Sequence, residues 1–109
     1  MGMLDRTLLH GNAETLVLAL LAEGEQYGYH LRKELATRSD DTFQFTFGGL
    51  YPLLKSLERR RLVTSRWVKP KTMRERRQYA ITARGRAELR IRKQKWRQFS
   101  RAMNRILGE

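Results

Sequence analysis

The sequence is poor in the residues on which much protein chemistry relies. It has no cysteine, two histidines (His10 and His30) and only 11 acidic residues among 109. Without cysteine there is no disulfide framework, thiolate zinc site, iron–sulfur cluster or cysteine nucleophile. Two histidines offer too few ligands for a metal site, and no grouping of acid, base and nucleophile indicates catalysis. We therefore expect no enzyme, no metal site and no cofactor.

Long apolar runs are also missing. The longest spans residues 16–22, whereas about 18 residues are needed to cross a bilayer. We therefore expect no membrane partner. With 40% hydrophobic and 31% charged residues, the composition is that of one small globular unit rather than of a disordered chain.

Positive charge, by contrast, is abundant and unevenly placed. The net charge is +12, and it divides into −3 over residues 1–58, +8 over 59–81 and +7 over 82–109. One interpretation is a solvated surface that keeps a small protein in solution, but such charge is usually mixed over the whole surface. Segregated charge favours a polyanionic partner, of which nucleic acid is the commonest.

Three helices are predicted in the first sixty residues. Asn12 has a capping side chain, so a first helix is expected from there to about residue 23, where Gly24 ends it. A second helix is expected over 28–38. Thr46 is expected to cap a third over 47–60, whose apolar residues recur at helical spacing and mark a buried face: Leu50, Leu53, Leu54 and Leu57.

The segment before the third helix has three aromatic residues in alternation. Phe43, Phe45 and Phe47 are separated by Gln44 and Thr46. Alternation of this kind predicts an extended segment with its rings on the core side.

A β-hairpin and a long final helix follow. Residues 62–68 and 76–81 are rich in strand formers, and the basic loop between them contains Pro70. Thr82 is expected to cap a helix that runs to about residue 107. The chain is therefore predicted to be mainly α with a small β-hairpin, an α+β fold. The order of its elements is that of a winged helix-turn-helix at 1–81 with a long helix at 82–109.

In such a fold the third helix enters the major groove of DNA and the hairpin forms a wing at 66–77 that lies on the backbone. Lys55 is the best candidate for a base edge and the Tyr51 hydroxyl for a phosphate, although a solvated lysine and a ring packed on its own helix remain alternatives. Two glycines allow close approach and free amides at the start of this helix, and a proline removes one of its hydrogen bonds. The full candidate set is Tyr29, Thr46, Gly48, Gly49, Tyr51, Pro52, Lys55, Arg59, Lys69, Lys71, Arg74 and Arg76.

Several motifs give the chain a family resemblance. Tyr27-Gly28-Tyr29, Gly49-Leu50-Tyr51-Pro52, Leu57-Glu58, Leu62-Val63 and the run Tyr79 to Gly85 occur in order. The chain resembles the PadR family of bacterial transcriptional regulators over residues 16–89, and its short C-terminal helix resembles the smaller PadR subfamily. The resemblance implies a cytoplasmic, nucleoid-associated homodimeric repressor that binds pseudo-palindromic promoter DNA.

Two positions depart from the family pattern. Gly49 stands where the family usually has Thr, which removes a hydroxyl that could contact phosphate. Arg61 stands where the family usually has Gly, so the third helix must end in another way.

The last helix has an apolar seam at nearly seven-residue spacing. Its members are Leu89, Trp96, Phe99, Met103 and Ile106, with Arg92 at the missing position. Such a stripe packs either on its own domain or on a second copy, and the resemblance favours a dimer interface with the partner's first helix. The resemblance also implies a site for a planar aromatic effector at Trp96 and Phe99, whereas a plain dimer core is the simpler interpretation.

Two other functions remain open at this point. The same charge would serve an RNA-binding or chromatin-coating winged helix that makes no sequence choice. The fold could also act as a protein-interaction adaptor that docks an acidic partner.

Overall fold

Four helices and one three-stranded antiparallel sheet make up the part of the protein that the structure describes. The computed structural model of the chain describes residues 6–71 and 74–109, and the side chains of residues 6–8 and 10 lie outside that description. In chain order the elements are α1 (Arg6–Ala22), β1 (Gln26–Tyr27), α2 (Gly28–Arg38), α3 (Phe47–Arg59), β2 (Val63–Val68), β3 (Arg76–Ile81) and α4 (Ala83–Leu107). The strand order is β1-β3-β2. The predicted α+β fold with a winged helix-turn-helix and a long last helix is confirmed.

The first helix begins earlier than predicted. Asn12 lies inside α1 rather than at its start, so the predicted cap is wrong. An interior Asn costs a helix at most about 0.7 kcal/mol relative to Ala, and neighbouring packing outweighs so small a term. Gly24, the predicted stop, follows the end of α1 and has a φ of 156°.

The short strand β1 was not predicted. It pairs with β3 through Gln26 opposite Tyr79 and Tyr27 opposite Gln78. Two residues are too few to show an alternating pattern, and only the pairing with β3 makes them a strand. This pairing fixes the start of α2 against the sheet.

Helix α3 is capped as predicted. The Thr46 Oγ1 accepts a hydrogen bond from the Gly49 amide at 3.1 Å, and the helix continues through Pro52. Leu50, Leu54 and Leu57 are almost fully buried, while Leu53 is partly buried against the same core. The apolar spacing therefore gave the correct buried face.

The end of α3 is formed by Arg61 in a left-handed conformation, with a φ of 60°. The Arg61 amide donates to the Glu58 carbonyl, and the Leu62 amide donates to the Leu57 carbonyl, both at 3.0 Å. These two hydrogen bonds form the Schellman motif, which normally has Gly at the left-handed position. Arginine adopts the left-handed conformation here, so the expectation that α3 must end in another way is wrong, and the chain turns directly into β2.

The predicted orientation of Phe47 is wrong. Phe45 packs against the core and Phe43 is half-buried, but the Phe47 side chain is 45% exposed. Thr46 starts the helix, so Phe47 is the first helical residue and no longer follows the alternation of an extended chain. Its ring consequently lies at the surface.

The first turn of α4 is tied to the turn after α3. The Thr82 Oγ1 accepts from the Gly85 amide at 2.9 Å and donates to the Arg61 carbonyl at 2.7 Å. Gly85 is buried against the Leu62 carbonyl, which also accepts the Thr82 amide at 3.1 Å. Farther along α4, Leu89 is buried in the core, so the first part of this helix belongs to the body of the protein.

Candidate nucleic-acid interface

The solvent face of α3 contains a row of three side chains one helical turn apart. Phe47, Tyr51 and Lys55 are all exposed and follow one another at four-residue spacing, which places them on one side of the helix. The candidates Gly48, Pro52 and Arg59 are also exposed. The helix therefore buries leucines on one side and presents aromatic rings and cations on the other.

The first turn of α3 differs in one respect from the expectation of free amides. The Gly49 amide is already bonded to the carbonyl and the hydroxyl oxygen of Thr46, both at 3.1 Å. Gly49 therefore allows close approach without supplying a free donor. The amides of Phe47 and Gly48 precede it, in the part of the turn where a helix has no internal acceptors for its donors.

An aromatic cluster, defined here as Tyr29, Arg32 and Phe47, joins the starts of α2 and α3. The rings of Tyr29 and Phe47 are stacked with centroids 6.2 Å apart. The Arg32 guanidinium carbon lies 4.6 Å from the Phe47 centroid and 5.9 Å from that of Tyr29. Tyr29 was a candidate from the sequence, whereas Arg32 and Phe47 were not. The four-residue spacing of Phe47 from Tyr51 was a signal that could have identified it.

Tyr51 has a partner within the protein. Burial raises the pKa of the Tyr79 phenol to about 12, and a hydrogen bond with Tyr51 adds to this rise. Tyr79 is a core residue of β3, so the hydroxyl of the exposed Tyr51 ring lies next to the sheet. A phosphate would have to share or replace that hydrogen bond.

Two consecutive side-chain hydrogen bonds, which form the Glu58–Ser65–Arg77 chain, connect the wing to α3. The Arg77 Nε donates to the Ser65 Oγ at 2.9 Å, and that hydroxyl donates to the Glu58 carboxylate at 2.7 Å. Arg77 also lies over the Trp67 ring. These contacts fix the two strands of the wing relative to α3.

The cations of the wing are of two kinds. Arg66 pairs with Glu25 at 3.1 Å, and Arg76 lies over the Tyr27 ring at 5.7 Å. Thr72 and Met73, within the predicted wing, lie outside the described residues. The remaining candidates are exposed and take part in none of the ion pairs among the described residues: Lys69, Lys71 and Arg74.

A basic depression of about 350 Å³ lies beside the end of α3. Its lining includes Arg59, Arg61 and Arg84, which are exposed. Arg60 also lines it but is bonded to the Glu14 carboxylate. The positive surface therefore continues from α3 to the start of α4.

An ion-pair network, defined here as Glu14, Arg60, Glu88 and Arg92, connects three helices. Glu14 of α1 binds Arg60 after α3 and also Arg92 of α4, the latter at 3.0 Å. The Arg92 Nε donates to Glu88 at 2.8 Å, and this bond lowers the pKa of the Glu88 carboxyl. The Arg92 side chain, at the missing position of the apolar seam, is thus paired with carboxylates of its own chain.

The second half of α4 has an exposed apolar face. Trp96, Phe99, Met103 and Ile106 are exposed, with the Trp96 and Phe99 rings 5.9 Å apart. Ile91 and Leu107, which were not candidates, are exposed as well. Leu89 differs from the other seam residues because it is 4% exposed, buried in the core of its own chain, and offers little surface to a second copy.

Two further properties concern the described residues as a whole. Within them, no helix is both long and apolar enough to cross a membrane. Across the same residues, no three His, Cys, Asp or Glu side chains are grouped so that they could hold a metal ion.

These elements define a winged helix-turn-helix protein with a basic and aromatic surface on its third helix and wing. The model of the transcriptional regulator PadR-like family matches residues 17–91. The chain therefore belongs to the PadR-like family of transcriptional regulators.

Solved structures of similar proteins agree with this assignment. A PadR-like transcriptional regulator from Bacillus cereus is 29% identical, with 94% of this chain and 98% of that chain covered and a TM-score of 0.83. A PadR family transcriptional regulator from Eggerthella lenta is 31% identical, with coverage of 93% and 86% and a TM-score of 0.81. Bacillus subtilis PadR, solved in complex with operator DNA, is 27% identical, with coverage of 72% and 44% and a TM-score of 0.65.

Proposed function

We propose that this protein is a sequence-specific DNA-binding repressor that acts as a homodimer on pseudo-palindromic promoter DNA in the bacterial cytoplasm. The observation that carries the proposal is the solvent face of α3. It presents Tyr51, Lys55 and Arg59 opposite the buried leucines, and the Glu58–Ser65–Arg77 chain fixes it beside a basic wing. The operator complex of Bacillus subtilis PadR, a similar protein, supports the same partner.

In this proposal α3 lies in the major groove. Lys55 donates to a base edge, because a lysine in the groove can reach the acceptors of guanine. Thr46, Tyr51 and Arg59 contact the flanking phosphates, as Tyr29 does from α2. Gly48, Gly49 and Pro52 have no long side chains and allow the backbone of α3 to approach the duplex.

The wing supplies affinity more than sequence choice. Lys69, Lys71 and Arg74 are exposed cations that suit phosphates, and Arg76 can join them from its position over Tyr27. Contacts to phosphate carry little sequence information and weaken steeply as salt rises. Together with α3, the wing belongs to a DNA-binding unit at 1–81.

The exposed half of α4 forms the dimer interface in this proposal. Trp96, Phe99, Met103 and Ile106 leave an apolar stripe uncovered in one chain, and a second copy would cover it. Two recognition helices would then meet half-sites about 34 Å apart, one turn of DNA. Residues 82–109 serve dimerisation, except that the first turns of α4 around Leu89 pack on the DNA-binding unit.

Trp96 and Phe99 are also where a planar aromatic effector would stack. Their rings lie 5.9 Å apart on the exposed face, and aromatic rings favour offset stacking with such molecules. An effector that binds there would act on the spacing of the two DNA-binding units and relieve repression. Quenching of Trp96 fluorescence on titration with flat aromatic compounds tests this part of the proposal.

The test of the function compares DNA from upstream of the protein's own gene with a shuffled duplex, by fluorescence anisotropy at about 50 to 300 mM salt. A specific regulator prefers the native duplex about a thousandfold. Equal affinity for both duplexes that collapses with salt would instead favour a coating or RNA-binding role. Weakly salt-dependent binding to an acidic protein, without DNA binding, would favour an adaptor.

A pair of lysine variants sharpens this test. Lys55→Ala should weaken the free energy of binding to the native duplex by about 1–3 kcal/mol and change binding to the shuffled duplex little. Lys93→Ala removes the same charge from an exposed position on α4 and should lower the affinity for both duplexes slightly and equally. Equal effects of the two variants would show that Lys55 acts only as a charge.

A further inference from the structure

Phe47 is an apolar side chain at an unusual place. Its ring is 45% exposed at the first residue of α3, between the capping Thr46 and two glycines. An isolated exposed aromatic ring needs no explanation by itself. This one stands in the same row as Tyr51 and Lys55, two of the side chains to which the proposed function assigns DNA contacts.

The ring is also held in place. Tyr29 stacks on it with an interplanar angle of 27°, and the Arg32 guanidinium lies 4.6 Å from its centroid. Arg32 is itself positioned by a hydrogen bond from its Nη1 to the Phe45 carbonyl at 3.4 Å. The contacts of the aromatic cluster therefore orient Phe47 before any partner binds, while nearly half of the side chain stays open to solvent.

The chemistry of a phenyl ring restricts what it can recognise in a major groove. It has no hydrogen-bond donor or acceptor, so it cannot read the polar pattern of the base edges. The 5-methyl group of thymine is the apolar feature of those edges, and Phe is among the side chains that contact it. In helix-turn-helix proteins, residues near the start of the recognition helix reach the bases, and Phe47 is the first residue of α3.

We propose that Phe47, supported by Tyr29 and Arg32, determines specificity by packing against the 5-methyl group of one thymine in each half-site. This inference rests on the proposed function and deepens it. Lys55 selects a base by hydrogen bonding two turns farther along α3, and Phe47 selects thymine by apolar contact. For the contact with thymine, Tyr29 and Arg32 are positioning residues, because they act on the base through the Phe47 ring; the phosphate contact of Tyr29 is separate.

The size of the effect follows from the burial of one methyl group. Burying a methylene-sized group is worth about a fourfold change in affinity. A homodimer that contacts two such methyl groups would therefore lose about fifteenfold when both are removed. The contact involves no charge, so its loss should leave the slope of affinity against salt unchanged.

The experiment uses the full chain and a duplex selected by it from a random pool. Each thymine is replaced in turn by deoxyuridine, which removes only the 5-methyl group and keeps every hydrogen-bonding atom. The wild-type protein should lose about fourfold in affinity at one thymine of each half-site. Phe47→Ala should bind the thymine duplex more weakly and show no further loss with deoxyuridine, while Phe47→Leu should retain part of the discrimination.

Two controls keep the outcomes distinct. Thermal unfolding and the oligomeric state of each variant show whether it is folded, and the wild-type measurements stand even if Phe47→Ala is not. A selected duplex that is sensitive to deoxyuridine nowhere, or a Phe47→Ala protein that discriminates as well as the wild type, would overturn the inference and leave the proposed function intact. A wild-type protein that selects no sequence would overturn both.

Discussion

Replacing Gly85 with alanine tests how α4 is attached to the DNA-binding unit. A Cβ at this position would lie 2.1 Å from the Leu62 carbonyl oxygen and 2.7 Å from the Ile81 Cγ1. The same carbonyl accepts the Thr82 amide at 3.1 Å. The backbone at Leu62, just before β2, therefore cannot move away from the new methyl group without weakening the hydrogen bond that starts α4.

The sign of the effect depends on two opposing terms. Alanine favours a helix over glycine by up to about 1 kcal/mol. Overpacking a filled interior costs about 1–3 kcal/mol, and the upper end applies because the closest atom belongs to the backbone and cannot rotate away. We therefore expect Gly85→Ala to lower the free energy of unfolding by about 2 kcal/mol and Tm by about 10 °C.

The assay is denaturant and thermal unfolding at fixed protein concentration, because the stability of the proposed dimer would depend on concentration. Gly48→Ala is the matched control, since a Cβ there has the Thr46 Oγ1 as its nearest neighbour, at an ordinary 3.8 Å. Gly48→Ala should leave stability unchanged or raise it by less than about 1 kcal/mol. A Gly85→Ala protein as stable as the wild type would show that the close approach of α4 to Leu62 does not limit packing, contrary to this prediction.

Three further predictions concern single residues. Arg61→Gly should raise the free energy of unfolding by about 1 kcal/mol in urea unfolding, since a left-handed conformation is costly for a side chain and free for glycine; an unchanged or lower value would contradict the observed φ of 60°. Glu14→Gln should lower the free energy of unfolding by about 1 kcal/mol at low salt and by less at 1 M salt. Glu109→Gln, at an exposed position, is the control and should leave the free energy of unfolding unchanged. Equal values for the two variants would mean that the Glu14 ion pairs contribute nothing to stability. Because the pKa of Tyr79 is raised to about 12, the contribution of its neutral phenol to stability is complete below the ordinary tyrosine pKa of 10 and is lost as pH rises through 12. Tyr79→Phe should remove the most alkaline step of the phenolate absorbance titration. A step that persists in this variant would contradict the assignment to Tyr79.

Signals that act over a few residues were sufficient to predict most of the fold. Thr46 and Thr82 cap their helices as expected, and the leucine spacing in α3 identified its buried face. Each of these features depends on bonds or periodicity within one or two helical turns. The same is true of the predicted strands of the wing, whose strand formers are contiguous.

Features that depend on distant parts of the chain were not predictable. The strand β1 exists through its pairing with β3, more than fifty positions away in the sequence. Asn12 resembled a cap because capping is a local preference, yet α1 extends past it. The Phe47 ring lies at the surface because α3 begins at Phe47 itself, and its stacking partner Tyr29 belongs to α2.

The candidate site shows the same division. Spacing in α3 correctly separated exposed from buried residues, which is why Tyr51 and Lys55 could be identified. The sequence could not indicate which cations are already paired within the chain, such as Arg66 with Glu25. The charge of a segment therefore overstates the number of cations that are free to meet a phosphate.

Hydroxyl-radical footprinting of the protein on the DNA upstream of its own gene would show most directly whether it binds an operator as a dimer. A dimer on a pseudo-palindromic operator should give two protected segments related by dyad symmetry, with centres about 34 Å apart or a multiple of that distance. Protection of both segments should weaken together with the Lys55→Ala protein and persist with the Lys93→Ala protein. Uniform protection along the duplex, or none at concentrations that protect an unrelated duplex equally, would contradict the claim that this protein is a sequence-specific, dimeric DNA-binding regulator.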